Sequence, residues 1–239
     1  MKKLLLATAL IMTAGFASAD VVRLATEGAY PPFNFIDDKG EVAGFEREFG
    51  DEVCKRAALE CSWTTNEWDS IIPNLQSGNY DVIIAGMSIT DERSKVITFS
   101  ENYYPPAASA YLAASADADV KTGIVSAQVG TIQAAYVAES GATLLEFPTP
   151  DETVAAVRNG EAAAVFADKD YLRPFEAESN GALVFVGEDI SIGGGVGLGL
   201  RQSDTELKGK LDTAIKSMKA DGSLNALIEK YFGAEGLKF

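Results

Sequence analysis

An α/β fold is predicted from two features of the sequence. Short runs rich in Val, Ile and Ala alternate with longer segments whose apolar residues recur at helical spacing, and chains that build helix-covered sheets read this way. With 47% hydrophobic and 23% charged residues, the 239-residue chain also has the composition of a protein that buries a core rather than one that stays disordered.

In chain order, the first segment belongs to processing. Lys2 and Lys3, the apolar run 4–16 and Ala17-Ser18-Ala19 have the layout of a secretory leader, residues 1–19, cleaved after Ala19. The run is shorter than the about 20 apolar residues that cross a bilayer, and no later stretch approaches that length, so the expected product is exported and soluble. Beyond the leader, β-branched and apolar runs bounded by turn residues predict strands at 21–25, 61–65, 82–85, 111–114, 144–147, 163–167, 183–186 and 197–201. Segments of helical period predict helices at 46–57, 69–77, 91–95, 131–140, 153–159, 169–177, 205–220 and 223–232. No internal repeat or low-complexity tract interrupts them.

Two stretches punctuate the pattern. Tyr104-Pro105-Pro106-Ala107 has two residues without an amide donor, each restricting the residue before it. Ile192-Gly193-Gly194-Gly195 is the most permissive backbone after the leader. Taken as two strands of one hinge, they divide the chain into a first lobe at 20–107, a second lobe at 108–192 and a return segment to the first lobe at 193–239. Taken as surface loops, they divide nothing.

Charge and composition exclude several functions. Thirty-five acidic against twenty basic residues give a formal charge of −15, so the chain repels a phosphate backbone, and no nucleic acid is expected as a partner. The sequence has no His, which removes the usual general base near neutral pH, the Ser-His and Cys-His pairs and the commonest transition-metal ligand. No metal and no cofactor are expected. Export permits disulfides, and Cys54 and Cys61 are expected to pair, because the residues between them read as a helix end and a turn into a strand that brings the sulfurs together. A metal or redox pair would want C-x-x-C spacing or a His partner, and the sequence has neither.

Ligands in open α/β sheets bind beyond the carboxyl ends of strands. The loop after the first strand, 26–34, carries Glu27 and Tyr30. The third strand runs into Ala85-Gly86-Met87-Ser88, where small residues admit a ligand close to the backbone, and Thr90 is placed to cap a helix with Arg93 in its first turn. A cation there opposes the helix dipole and wants an anion, either a ligand or Asp91 or Glu92. Gln128-Val129-Gly130-Thr131-Ile132-Gln133 joins a strand to a helix, Asp168 ends a strand, and Trp68 precedes a helix. Singly, each has an ordinary reading: Glu27 a solvated turn carboxylate, Tyr30 and Trp68 core aromatics, Asp168 a turn former. Glu46 reads as a helix-start carboxylate.

Together the motifs carry a resemblance. Gly44-Phe45-Glu46-Arg47-Glu48-Phe49 through Cys54 to Cys61, the Thr26-to-Phe33 opening, Ile71-Ile72-Pro73, Ser88 to Arg93, the Gly-Thr-x-Gln turn and the close from Asp221 to Gly233 resemble the polar amino-acid-binding proteins of bacterial ABC importers, family 3 solute-binding proteins, over essentially the whole mature chain. The resemblance implies the two-lobed, type II periplasmic binding protein fold: each lobe a sheet flanked by helices, a two-stranded hinge, and one amino acid held between the lobes. It implies a periplasmic protein, a monomer, whose partners are a small-molecule amino acid and a membrane permease.

Carried over by residue, the resemblance implies that Arg93 clamps the ligand carboxylate, assisted by Thr131 and the amide beside it. Asp168 takes the α-ammonium with Ser88 and the backbone near Gly86. Tyr30 and Trp68 stack on the side chain, and Glu27 and Gln133 line the far part of the cleft. The family's usual Ser-Ser stands here as Ala85-Gly86, and a frequent hydroxyl as Ile132. Glu27 favours a basic ligand, lysine, arginine or ornithine, with glutamine or another polar amino acid the alternative. Because some proteins of this fold are dehydratases, an enzyme is the competing class, and no catalytic residue is expected.

Overall fold

A computed structural model describes residues 21–239. The leader expected at 1–19 lies outside the described residues. The first stretch of chain runs through β1 (Val22–Thr26), β2 (Ala29–Tyr30), β3 (Asn34–Ile36), β4 (Val42–Ala43), α1 (Phe45–Arg56), β5 (Cys61–Thr65), α2 (Ile71–Gln76), β6 (Val82–Ile83), α3 (Asp91–Ser94) and β7 (Thr98–Tyr104). The middle stretch holds β8 (Ala108–Ala113), β9 (Ile124–Gln128), α4 (Ile132–Ser140), β10 (Thr143–Phe147), α5 (Pro150–Arg158), β11 (Ala164–Asp168), α6 (Lys169–Glu178) and β12 (Val184–Ser191). The last contributes β13 (Val196–Leu200), α7 (Thr205–Ala220) and α8 (Ser223–Phe232).

These strands form two five-stranded sheets of matching design, β5-β1-β6-β13-β7 and β10-β9-β11-β8-β12. In each, the first three strands are parallel and the last two join antiparallel. Both faces of the first sheet are covered, so its central strands β1 and β6 place apolar residues on both faces. Leu24, Val82 and Ile84 pack with Phe45, Phe49, Val53, Leu211 and Ile215 of α1 and α7. Ala25, Ile83 and Ala85 face the other way, onto Ile71 and Leu75 of α2. The second sheet repeats the sandwich, with Leu112 and Val165 against α5 and α6 on one face and Val125 and Phe166 against Val137 of α4 on the other.

The chain passes between the sheets twice, side by side. Tyr104 of β7 pairs with Val196 of β13 just before the crossing, and Ala108 of β8 pairs with Ser191 of β12 just after it. The Pro-Pro and Gly-rich stretches read as punctuation are these two links.

All eight expected helices are present, with shifted ends. The helix expected at 69–77 opens as a 3-10 turn, Trp68–Ser70, before α2. The helix expected at 153–159 begins at Pro150, because Thr149 and Glu152 form a capping box and proline at the first position gives up no bonded amide. β7 was not among the expected strands, and β9 was expected only as the strand that Gln128 to Gln133 joins to a helix, without bounds. Thr-Phe-Ser-Glu-Asn-Tyr-Tyr has no β-branched run to announce β7, yet its Phe99, Tyr103 and Tyr104 are buried. The small sheet β2-β3-β4 is also additional; its strands are two or three residues long, too short for periodicity to register.

Cys54, in the last turns of α1, is bonded to Cys61, the first residue of β5, with Cα atoms 6.3 Å apart. Alkylation without prior reduction is expected to label neither cysteine, and reduction to lower stability by about 2 to 3 kcal/mol, the chain entropy of so short a loop. Mass spectrometry reads the first and a denaturant titration the second; quantitative labelling of unreduced protein would contradict the pairing.

Candidate ligand-binding cleft

The loops that follow the parallel strands β1, β6, β9 and β11 converge on one cavity. Glu27 and Tyr30 enter from the loop after β1, Gly86 and Ser88 from the turn after β6, and Arg93 from α3. Trp68 comes from the 3-10 turn, Thr131 and Gln133 from the start of α4, and Asp168 from the end of β11. All nine residues singled out in the sequence line this cavity, joined by Ala85, Gln128 and Ile132.

Arg93 is set by its own loop. Thr90 caps α3, its hydroxyl accepting from the Arg93 amide at 3.1 Å, and one guanidinium nitrogen donates to the Ser88 carbonyl at 2.9 Å. Another donates at 3.3 Å to the carbonyl of Gly130, which belongs to the middle stretch of chain. The guanidinium stands 5.3 Å from the centre of the Trp68 ring, so Trp68 meets Arg93 as well as the cavity. Asp91 and Glu92, weighed as its counter-ions, are exposed, and the only ion pair either forms among the described residues is that of Glu92 with Lys95. Burial pulls the guanidinium down to about 10 while the charge of Asp168 holds it up, so it stays a cation at neutral pH.

Asp168 is held by neutral donors. Tyr30 Oη donates to one carboxylate oxygen and Gln133 Nε2 to the other, both at 2.9 Å, and Gln133 is itself steadied by Ser109 at 3.0 Å. Burial pushes the Asp168 carboxyl up to about 6, and neighbouring Asp170 adds to the rise. Tyr30 in turn lies flat on Tyr171, ring centres 4.2 Å apart, and so bridges the first stretch of chain to α6.

Glu27 forms a second buried carboxylate in the cavity wall. Gln128 Nε2 donates to it at 2.6 Å and to the Pro148 carbonyl at 3.1 Å. Burial pushes the Glu27 carboxyl up to about 7, against the Gln128 hydrogen bond, with Glu67, Glu46 and Asp151 adding like charge. Gln133, expected beside Glu27, thus lies against Asp168, and the amide that reaches Glu27 belongs to Gln128. Gln128 was legible only as part of a strand-to-helix turn; nothing in its spacing marks it as facing a carboxylate.

The Thr131 hydroxyl is already engaged. It accepts from the Ala134 amide at 3.1 Å as the cap of α4 and donates to the Gln128 carbonyl at 2.7 Å. Gly86 has φ of +61°, a conformation that disfavours other residues, and its amide is turned onto the buried Glu46 at 2.6 Å.

The chain is similar to proteins of known character along almost its whole length. A crystal structure of a periplasmic His/Glu/Gln/Arg/opine family-binding protein from Silicibacter pomeroyi in complex with lysine is 67% identical, with a TM-score of 0.90, covering 92% of this chain and 100% of that one. The L-arginine-binding protein of Pseudomonas aeruginosa is 30% identical, the match covering 97% of each chain. The lysine/arginine/ornithine-binding periplasmic protein of Escherichia coli is 30% identical, again over 97% of each. A model of the bacterial extracellular solute-binding proteins, family 3, matches residues 22–234. With its paired sheets, its doubly crossed chain and a cavity at the strand ends, the chain belongs to that family.

Proposed function

We propose that the protein is an exported receptor, processed after Ala19, that encloses one basic amino acid, lysine, arginine or ornithine, and delivers it unchanged to the membrane permease of an ABC importer. The observation that carries this reading is a guanidinium and a carboxylate that line one cavity, each satisfied by groups other than an opposite charge. A zwitterion completes both: its carboxylate takes the fork of Arg93 and its ammonium the oxygens of Asp168. Ser88, Thr131 and the carbonyl of Gly86 flank these ends, Gln133 steadies Asp168, and the aromatic faces of Tyr30 and Trp68 border the side chain. Glu27 is the group that meets a cationic side-chain end. The relatives named for arginine or for lysine, arginine and ornithine, and the lysine complex at 67% identity, support the same class.

In this reading the lobes are 20–107 with 193–239, and 108–192, and they close about the two adjacent links. The bonds Tyr30 to Asp168, Gln128 to Glu27 and Arg93 to Gly130 join one lobe to the other when closed. The reading is of a receptor, not an enzyme, since a dehydratase acting on a prephenate-like acid has no use for a carboxylate at the ammonium position.

The deciding experiment is a thermal-shift panel of the standard amino acids and ornithine on protein unfolded and refolded to strip bound ligand. A ligand at about 100 times its dissociation constant adds about 2.7 kcal/mol. Lysine, arginine or ornithine is expected to give the largest shift; glutamine or glutamate in that place would refute the cationic role of Glu27, and Glu27→Gln is expected to weaken a basic ligand far more than glutamine.

Arg93→Met leaves the ligand carboxylate without its partner, a loss of about 2 to 5 kcal/mol, or roughly thirtyfold or more in affinity. Calorimetry checks it, and a loss of less than about threefold would return Arg93 to a structural role.

Binding is also expected to depend on pH. Burial raises both Glu27 and Asp168, so without ligand they hold their protons to higher pH, whereas a cationic ligand favours the charged forms and displaces protons. Affinity therefore rises with pH through about 6 and about 7 and levels off above. Titration of lysine at pH 5.5 against pH 8 is expected to differ by roughly tenfold or more. Equal affinity at the two values would contradict ionised carboxylates as the partners.

A further inference from the structure

Glu46 lies in the first turn of α1 and is wholly buried, as are Asn34 and Tyr103 beside it. Three donors converge on its carboxylate. The Gly86 amide reaches Oε1 at 2.6 Å, the Tyr103 hydroxyl donates to the same oxygen, and Asn34 Nδ2 reaches Oε2 at 2.7 Å. Asn34 then uses its own oxygen, Oδ1, to accept from the Gly28 amide at 2.7 Å. Gly28 follows Glu27 and Gly86 precedes Met87-Ser88, so this chain of bonds reaches two of the loops that bring the first lobe's groups to the cavity, those after β1 and β6.

The direction of each bond is fixed by its neighbours. Gly28 N–H can only donate, so it demands Oδ1 of Asn34; Asn34 must then present its NH₂ to Glu46, which has to offer an oxygen there and another to Gly86. Both loops thus depend on one side chain that accepts at both ends.

We propose that Glu46 is a positioning residue of the ligand cleft: it touches no ligand, but through Gly86 directly and through Asn34 and Gly28 it sets the two loops that carry Ser88 and Glu27. This deepens the amino-acid-receptor reading and rests on it. A consequence is that the Gly86 amide is occupied by Glu46, leaving only its carbonyl for the ligand.

Glu46→Gln keeps the size and shape of the side chain but sets an NH₂ against a donor, either Asn34 or Gly86. It is expected to weaken L-lysine and L-arginine by roughly tenfold or more in calorimetry, with the fold retained by far-UV circular dichroism. Adding Asn34→Asp restores the pattern with the charge moved one bond along. The new amide nitrogen at position 46 donates to the new carboxylate at position 34, which still accepts from Gly28, and the amide oxygen at position 46 accepts from Gly86. The double variant is expected to bind within about threefold of wild type, while the retained fold of the single variant separates its loss of binding from a purely structural role. In the wild type without ligand, the Gly86 amide is expected to exchange slowly with solvent hydrogen.

A single variant that binds within about threefold of wild type, a folded double variant as weak as the single, or fast exchange at Gly86 would each overturn the role of Glu46. Should the single variant fail to fold, the double variant and the wild-type exchange decide the matter. Wild-type protein that binds neither amino acid would instead overturn the receptor reading, and with it any cleft role for Glu46.

Discussion

A charge taken out of water without a counter-ion costs several kcal/mol unless fixed dipoles replace the solvent, and this constraint shapes the cleft. Arg93 is held by two backbone carbonyls and the face of Trp68. Asp168 is held by a phenol and an amide, and Glu27 by another amide. None of these partners neutralises the charge it holds; each keeps it solvated and pointed. That arrangement needs carbonyls, amides and rings delivered from five loops at once, and two sheets whose parallel strands end at the same place are what deliver them.

The aromatic groups bind the architecture together across the same gap. Tyr30 offers a hydroxyl to Asp168 and a ring face to Tyr171, while Tyr104, at the last residue of β7, donates to Asp170 at 2.7 Å. One short run at the start of α6, from Asp168 to Tyr171, is therefore grasped by two tyrosines of the first stretch of chain, Tyr30 of β2 and Tyr104 of β7. The packing that orients the binding carboxylate is the packing that sets how the two sheets meet.

Much of this was legible in the sequence, and the rest failed for identifiable reasons. The longer helices were legible because periodicity over nine or more residues is hard to imitate, and short α3 through its Thr90 cap, whereas β7, with Ser, Glu and Asn among its seven residues, owes its place to the burial of Phe99, Tyr103 and Tyr104. The cavity residues were reached through motifs, since Glu27, Tyr30, Trp68 and Asp168 are each ordinary alone. Gln128 and the network of Glu46 were out of reach because their partners are 101 and 40 positions away, and spacing along one element says nothing about contacts between elements. Glu46 read as a helix-start carboxylate, and it is one; that it also faces Gly86, Tyr103 and Asn34 is a property of the tertiary fold.

The order of strands bears on how such a chain can be made. In the first sheet β13 lies between β6 and β7, although it is read out from the message long after both. Until it arrives, β6 and β7 have no neighbour to join them, and each presents an unpaired edge. The middle stretch, by contrast, contains every strand of its own sheet and can close early. During synthesis from the N-terminus, the first sheet therefore stays open until β13 has been made, after the second sheet already has all its strands.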